Sequence, residues 1–202
     1  MYLIIKKVYR LLYVQYSFFF TYLKFRLNNV KFQNFKTAGI PYLMKDSNSE
    51  FIIGKYLKIN NCLQGNSIGQ DKCSFRILKN AKLLIGENVG MSSVIISAHL
   101  KIEIGNNVNI GAGSSIYDSD FHSLNFLDRR NVQLDSINKI SAPVSIGDDV
   151  FIGTQVMILK GVNIGERSII GARSLVVKDV PEGEIWAGNP ARFIRKITST
   201  NT

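Results

Sequence analysis

His122 is the residue of this chain best suited to chemistry, and it lies in the short segment YDSDFH. A neutral imidazole has an unperturbed pKa of about 6.5, so at neutral pH it can take a proton from a hydroxyl group within hydrogen-bond reach. Asp118 and Asp120 alternate with His122, so in an extended segment the three side chains would point to one side. One of these carboxylates could fix the tautomer of the imidazole. The segment therefore predicts a general base with an acidic neighbour.

The other histidine and the cysteines exclude several kinds of site. His99 follows an apolar run without a supporting motif, so we expect it to be structural or solvent-exposed. With only two histidines, a metal site that needs three imidazoles from one subunit is excluded, and we expect no metal. Cys62 and Cys73 form no CxxC pair, which predicts reduced thiols rather than a disulfide framework or a zinc knuckle.

A six-residue repeat is the element that must position His122. Aliphatic residues recur at this interval in two runs that share one phase, Ile104, Ile110 and Ile116, then Ile140, Ile146, Ile152, Ile158, Ile164, Ile170 and Val176. A helix would require a period of 3.6 residues, whereas a fixed six-residue interval is typical of a parallel β-helix. With three units in each triangular coil, Ile146 would stack beneath Ile164, and coils would lie roughly 4.8 Å apart.

Residues 121–139 interrupt the repeat as a polar insertion. His122 follows Ile116 by one interval, so it takes a position where the regular core would want an aliphatic side chain. A polar ring in such a position costs free energy unless it is paired, which makes this histidine informative. We predict a β-helix domain over residues 37–180, with the insertion inside it, and a short tail over residues 181–202.

The first 36 residues are basic and aromatic, with eleven of the twenty Phe and Tyr of the chain. Residues 1–60 carry ten Lys and Arg against two acidic residues, which accounts for +8 of the net charge of +10. The positive charge therefore belongs to the N-terminal segment, and no nucleic-acid partner is predicted.

The uncharged stretch 11–23 is shorter than the roughly 20 residues of a transmembrane helix. No small-x-small cleavage site follows closely, so secretion is not favoured and a cytoplasmic location is expected.

Residues 1–36 are predicted to be mostly helical, and two environments suit such a helix. It could pack on its own protein or on a neighbouring subunit, which we favour. Alternatively, a basic aromatic helix could lie on an anionic membrane surface, at the inner face of the cytoplasmic membrane.

The sequence resembles the hexapeptide-repeat acyltransferases, particularly the branch of maltose, galactoside and colanic-acid-type O-acetyltransferases. The likeness covers roughly residues 85–197 and is carried by four stretches, IGNNVNIGAGSSI, VSIGDDVFIGTQVMILKGVNIGERSIIGARSLVVKDVP, YDSDFH and IWAGNPAR. It implies an all-β fold, a left-handed parallel β-helix of hexapeptide repeats with a helical N-terminal segment and a short C-terminal tail. It also implies acetyl-CoA as donor and a homotrimer with active sites between adjacent subunits.

The resemblance also implies residues on the acceptor side of the site. Asp120 is the favoured partner of the catalytic histidine, because the DFH pattern of the family has an acid there. Arg130 matches an arginine that follows the histidine in relatives. Related sugar acetyltransferases often bind the acceptor through an asparagine one coil earlier, where this chain has Ser92 or Ser93. Asp118 and Ser93 are therefore candidate acceptor contacts.

On the donor side, the resemblance implies that the turn from Phe151 to Thr154 supplies a backbone N–H to the oxyanion and packs on the pantetheine arm. Gly153 would allow close approach of that arm, and Ala172 would line the rest of it. Many relatives have Trp in place of Phe151. Lys178 and Arg192 would meet the phosphates of coenzyme A.

Three functions remain open from the sequence. The leading one is acetylation of a sugar hydroxyl during surface-polysaccharide assembly. The second is N-acetylation of an amino sugar or another small molecule. The third is a non-catalytic trimeric β-helix scaffold, which the DSDFH and GNPAR segments argue against.

Overall fold

The computed structural model describes residues 2–61 and 72–198, and it contains one long helix followed by stacked coils of short strands. The helix α1 spans Tyr2–Leu27. The strands of the first four coils are β1 (Lys31–Phe32), β2 (Phe35–Ala38), β3 (Tyr42–Lys45), β4 (Glu50–Ile53), β5 (Leu57–Asn60), β6 (Ser74–Ile77), β7 (Lys82–Ile85), β8 (Gly90–Ser92), β9 (Ile95–Ala98), β10 (Lys101–Ile104), β11 (Asn109–Ile110) and β12 (Ser115–Tyr117).

A 3-10 turn at Asp128–Arg130 and the short helix α2 (Val132–Asn138) follow the fourth coil. The remaining strands are β13 (Val144–Ile146), β14 (Phe151–Ile152), β15 (Met157–Ile158), β16 (Asn163–Ile164), β17 (Ile169–Ile170), β18 (Leu175–Val176), β19 (Glu184–Ala187) and β20 (Arg192–Lys196).

Three parallel sheets form the faces of the coil. The first has the order β1-β4-β7-β10-β13-β16, the second runs from β2 through β5, β8, β11, β14 and β17 to β19 and β20, and the third has the order β3-β6-β9-β12-β15-β18. Each strand from β1 to β15 pairs with the strand three positions further along the chain, because three strands complete one turn. The predicted left-handed parallel β-helix is confirmed.

The six-residue period builds the core as predicted. Ile104 pairs with Ile146 and Ile146 with Ile164, so these side chains form one continuous stack through three coils. Each of the three is at most 3% exposed. Ile140 is the exception to the predicted pattern, with 47% exposure. The prediction for Ile140 is wrong because the chain is still outside the coil there and re-enters only at β13.

The N-terminal boundary also differs from the prediction. The helix ends at Leu27 and the first coil begins at Lys31, so the β-helix starts before residue 37. Phe25 is fully buried, and its ring centroid lies 5.2 Å from that of Phe35 and 6.1 Å from that of Phe51. A coil stack would leave apolar side chains open to water at its first turn, and this end of α1 covers them.

The C-terminal residues continue the second sheet. β19 pairs parallel with β17, and β20 pairs antiparallel with β19. The predicted tail is therefore an ordered hairpin at the far end of the stack, as far as residue 198.

Cys73 is a free, buried thiol, and Cys62 lies outside the described residues. Burial raises the pKa of the Cys73 thiol to about 12, so it stays protonated at neutral pH. Since the thiolate is the reactive form, Cys73 is chemically inert in the folded protein.

Candidate active site

The chain leaves the coil after β12 and returns beside the same point. The Asp120 N–H donates to the carbonyl of Ile140 at 2.9 Å, and the Ala142 N–H donates to the carbonyl of Asp118 at 2.9 Å. These two bonds tie the ends of the insertion together. The insertion therefore projects from one corner of the coil and carries its own short helix.

His122 lies at the start of the insertion with its side chain 68% exposed. Its Nδ1 atom is 2.7 Å from Oδ2 of Asp135, while Oδ1 of Asp135 accepts from the Ser123 N–H at 2.8 Å. The hydrogen bond from His122, followed by the bond from Ser123, lowers the pKa of the Asp135 carboxyl. An ionised carboxylate only accepts hydrogen bonds, which assigns the proton to Nδ1. Nε2 is then the basic nitrogen of the imidazole.

Asp135 owes its position to α2. The Asn131 side chain caps this helix, accepting from the N–H groups of Gln133 and Leu134 at 3.0 Å each. The cap fixes the first turn of α2, and Asp135 belongs to that turn. Sequence reasoning missed Asp135. In the sequence, Asn131 is a signal for the start of a short helix, but it does not indicate which side chain of that helix faces His122.

The predicted pairing of Asp120 with His122 is wrong within the subunit. Oδ1 of Asp120 instead lies 2.8 Å from Nζ of Lys160. Phe121 has a φ of +67°, so the backbone turns between Asp120 and His122 rather than continuing as an extended strand. The alternation that would place both side chains on one face is lost at this turn.

Asp118 is also not placed for the predicted contact with an acceptor. Its side chain is fully buried, and its carboxylate accepts three backbone N–H groups, each at 2.7 Å, from His99, Leu100 and Lys101. Both oxygens are therefore used inside the subunit. The carboxylate therefore provides hydrogen-bond acceptors for the buried backbone N–H groups of the turn between β9 and β10.

Replacing Asp118 by Asn should destabilise the protein without touching the imidazole. The amide group would turn a donor toward a backbone N–H, leaving buried polar groups unpaired, at a cost of about 1–3 kcal/mol. Urea unfolding measures this difference. Asp46→Asn is the matched control, because the Asp46 side chain makes no hydrogen bond in the described part of the chain, and it should change stability by less than about 0.5 kcal/mol. Equal effects of the two substitutions would contradict this role of Asp118.

His99 was predicted to be either structural or solvent-exposed, and the structure supports the first of these. Its ring meets that of Phe121 edge to face, with centroids 5.0 Å apart. Burial, reinforced by the charge of Lys139, lowers the pKa of His99, so the ring is neutral at physiological pH. His99 thus supports the turn that precedes the His122 imidazole.

The turn that begins at Phe151 does not offer all of its backbone N–H groups to a ligand. The Phe151 N–H donates to the carbonyl of Ser168 at 3.0 Å, and the Gly153 N–H donates to that of Ile170 at 2.8 Å. These two groups are part of the coil ladder. The predicted contact between this turn and an oxyanion is therefore not available from the N–H groups of Phe151 and Gly153, and Thr154 is left as the residue of this turn to be tested.

Gly153 allows close approach of the next coil rather than of a ligand. A Cβ atom built on Gly153 would lie 2.6 Å from the backbone nitrogen of Ala172. Around this contact, Phe151 is 50% exposed, Ala172 is exposed and Thr154 is half-buried. The side chains of Phe151 and Ala172 remain free to line a surface groove.

Gly153→Ala should lower the free energy of unfolding by about 1–3 kcal/mol, because the added methyl group forces two coils apart. Thermal and urea unfolding measure the effect. Gly90→Ala provides the control, since a Cβ there meets only the side-chain oxygen of Asn109, at 3.0 Å, and that group can move. A variant at position 153 as stable as the control would show that the coil spacing adapts.

The other predicted site residues lie at scattered positions. Lys178 and Arg192 are exposed near the C-terminal end of the stack, and Arg130 is exposed with its guanidinium 5.4 Å from the ring centroid of Phe126. No hydrogen bond or ion pair among residues 2–61 and 72–198 joins these three to one another. Ser93 is only 3% exposed, so the predicted acceptor contact through its side chain is not available at the surface of one subunit.

Comparison with known proteins identifies the repeat. Residues 131–178 match the family model of the bacterial transferase hexapeptide (six repeats). A Saccharomyces cerevisiae protein, named only provisionally as an acetyltransferase, is 39% identical over 123 residues, which are 60% of each chain. The chain spans about half the length of the curated relatives it matches.

Two solved structures are similar along most of the chain. A hexapeptide-repeat acetyltransferase of Vibrio cholerae O1 biovar eltor, in complex with acetyl coenzyme A, has 25% identity and a TM-score of 0.54 and covers 88% of this chain and 75% of its own. A galactoside acetyltransferase in complex with coenzyme A has 25% identity and a TM-score of 0.51 and covers 83% and 66%. These matches confirm the resemblance predicted from the sequence.

Proposed function

We propose that this chain, which carries the six-residue repeats of the bacterial transferase hexapeptide family, is an O-acetyltransferase that moves acetyl from acetyl-CoA to a sugar hydroxyl. The observation that carries the proposal is the exposed His122 imidazole. Its Nδ1 is held by Asp135 at 2.7 Å, so that Nε2 is left as the basic atom of a side chain that is 68% exposed.

The chemistry follows from this arrangement. Nε2 of His122 removes the proton of the acceptor hydroxyl while the oxygen attacks the thioester carbonyl. The tetrahedral intermediate then collapses, the carbon–sulfur bond breaks, and the imidazolium returns its proton to the leaving thiolate of coenzyme A. The Asp135 carboxylate stabilises the positive charge of the imidazolium between these two steps.

The donor would lie in a groove between subunits of a homotrimer. The Vibrio cholerae relative was solved with acetyl coenzyme A, which supports the same donor here. We propose that Phe151, Thr154 and Ala172 line the pantetheine arm and that Lys178 and Arg192 meet the phosphates. All five are exposed or half-buried in one subunit, as a ligand surface requires.

The acceptor is proposed to be a carbohydrate used in surface-polysaccharide assembly, with Arg130 among its contacts. The similarity to a galactoside acetyltransferase supports a sugar acceptor. We place the reaction in the cytoplasm, at the inner face of the cytoplasmic membrane.

Incubating the purified protein with acetyl-CoA and a panel of neutral and amino sugars, while following release of the coenzyme A thiol, tests the function. We expect acceptor-dependent thiol release, and mass spectrometry should find an ester rather than an amide. An amide product would assign the chain to N-acetylation. No release with any acceptor, together with no binding of coenzyme A in calorimetry, would favour a non-catalytic scaffold.

A further inference from the structure

The helix α1 has one face that is used by its own subunit. Ser17, Thr21 and Phe25 are fully buried and recur every four residues, as one side of a helix does. The Ser17 hydroxyl accepts a hydrogen bond from the Gly39 N–H at 3.0 Å. Lys24 donates through Nζ to the carbonyl of Pro41 at 2.9 Å. This half of α1 therefore lies across the first coil, at the N-terminal end of the stack.

The opposite side of α1 is an exposed apolar stripe, which we call the outer stripe. Its members recur at alternating intervals of four and three residues and are between 41% and 60% exposed, namely Ile5, Tyr9, Leu12, Tyr16, Phe19 and Leu23. This spacing keeps them on one side of the helix over about 27 Å. Isolated exposed apolar residues are normal, but a continuous stripe of this length marks a surface that binds something.

The charge of α1 indicates what that partner is. The helix contains Lys6, Lys7, Arg10, Lys24 and Arg26 and no acidic residue. A second copy of the same helix would present the same positive charges and no carboxylate to pair with them. An anionic lipid surface supplies the complementary charge, and the aromatic members of the stripe suit the boundary between headgroups and acyl chains.

No helix in the described part of the chain is long and apolar enough to cross a membrane. An interfacial helix needs no such length, because it lies in the plane of the surface with its apolar side buried about 5–10 Å.

We propose that α1 docks in the plane of an anionic phospholipid surface through its outer stripe. Lys6, Lys7 and Arg10 lie on the other side of the helix, which is at the level of the headgroups when the stripe is buried. In this orientation the first coil lies nearest the membrane and the later coils extend away from it. In the proposed homotrimer, threefold symmetry places all three α1 helices at this same end, so that three weak contacts act together.

The docking fixes the height of the active site. His122 follows the third strand of the fourth coil, three coil spacings above the first, which is about 15 Å. Since about 5–10 Å of a helix about 10 Å wide is buried, α1 adds at most about 5 Å, and the imidazole lies roughly 15–20 Å above the lipid headgroups. An imidazole at this height suits a sugar acceptor that is itself carried on a membrane lipid. This inference about the acceptor rests on the proposed function.

Flotation of the full chain with vesicles tests the docking. The protein should float with vesicles of equal parts phosphatidylglycerol and phosphatidylcholine, float less with phosphatidylcholine alone, and be released by salt. The double variant Ile5→Glu with Leu12→Glu changes the half of α1 that does not touch the coil, and it should remain unbound. The control, Phe193→Glu with Ile194→Glu, adds the same charge at two exposed positions of β20, at the far end of the stack, and should float like the wild type.

The orientation is tested by energy transfer to dansyl-labelled lipid headgroups. Trp186 is the only tryptophan of the chain, and it lies in β19, at the far end of the stack. Transfer from Trp186 should be weak, whereas Phe19→Trp in a Trp186→Phe background should give strong transfer.

Equal flotation of the stripe variant and the wild type would overturn the proposal. The proposal would also be overturned if the wild type did not bind vesicles and the stripe variant formed a smaller oligomer. The outer stripe would then be covered by a second copy of the chain. Thiol release with a water-soluble sugar is measured without vesicles, so failure of the docking and failure of the catalytic function are distinguishable.

Discussion

Replacing His122 by Ala should lower kcat/KM for the acetyl-CoA-dependent reaction by about 10²–10⁴-fold, the usual contribution of a general base. Without the imidazole, the acceptor hydroxyl must lose its proton to water as it attacks the thioester. The fold should persist, because the His122 side chain is 68% exposed and its one hydrogen bond in the described structure is to Asp135. Initial rates of thiol release measure the effect.

Calorimetry provides the control for this substitution. His122→Ala should bind coenzyme A with wild-type affinity, since the proposed donor contacts belong to other residues, and its melting temperature should be almost unchanged. Wild-type turnover in this variant would remove His122 from the mechanism. The reaction would then need another base.

Asp135→Asn should lower kcat by about 10–100-fold while the KM for acetyl-CoA stays unchanged, as expected for a residue that positions a catalytic group. Asp135 uses one oxygen for the Ser123 N–H and the other for His122. An asparagine has only one oxygen. If that oxygen stays with Ser123, the amide donates to Nδ1 of His122 and places the imidazole proton on Nε2, so that only the molecules whose amide oxygen faces His122 keep the base.

Asp128→Asn is the matched control for Asp135→Asn. Asp128 lies in the same insertion and accepts from the Ser123 hydroxyl and from Asn138, but it makes no contact with His122 in the described structure. Its kcat should stay within a few-fold of the wild type. If both variants lose the same activity, the insertion acts only as a folded unit, and the specific role of Asp135 is contradicted.

The pH dependence of stability checks the same contact. The lowered pKa of Asp135 means that its contribution is fully present above the ordinary aspartate value of about 3.9 and is lost as the pH falls through the lower folded value. The difference in unfolding free energy between wild type and Asp135→Asn should therefore be visible at neutral pH and shrink in acid. A difference that does not change with pH would mean that the carboxylate charge is not involved.

The coil was predictable because its information is local and repeated. A side chain such as Ile146 is buried by the same interval that buries Ile104 and Ile164, so each unit supports the inference drawn from the next. Ile140 shows where this stops: it has the right type and spacing, but the chain had not yet returned to the coil. The helical nature of the N-terminal segment was equally local, and so is its end at Leu27, where Asn29 takes a φ of +52° and the Val30 N–H donates to the carbonyl of Phe25 at 3.0 Å.

By itself, the sequence determined the β-helix and the interruption of the repeat, and it predicted His122 as the base. The tertiary structure alone decided which carboxylate meets that histidine. Asp120 is two residues away, but the turn at Phe121 directs its carboxylate toward Lys160. Asp135 is thirteen residues away, and a capped helix in the insertion brings its carboxylate to 2.7 Å from the imidazole. The insertion has no period, so the direction of each of its side chains depends on single turns and caps that spacing along the chain does not encode.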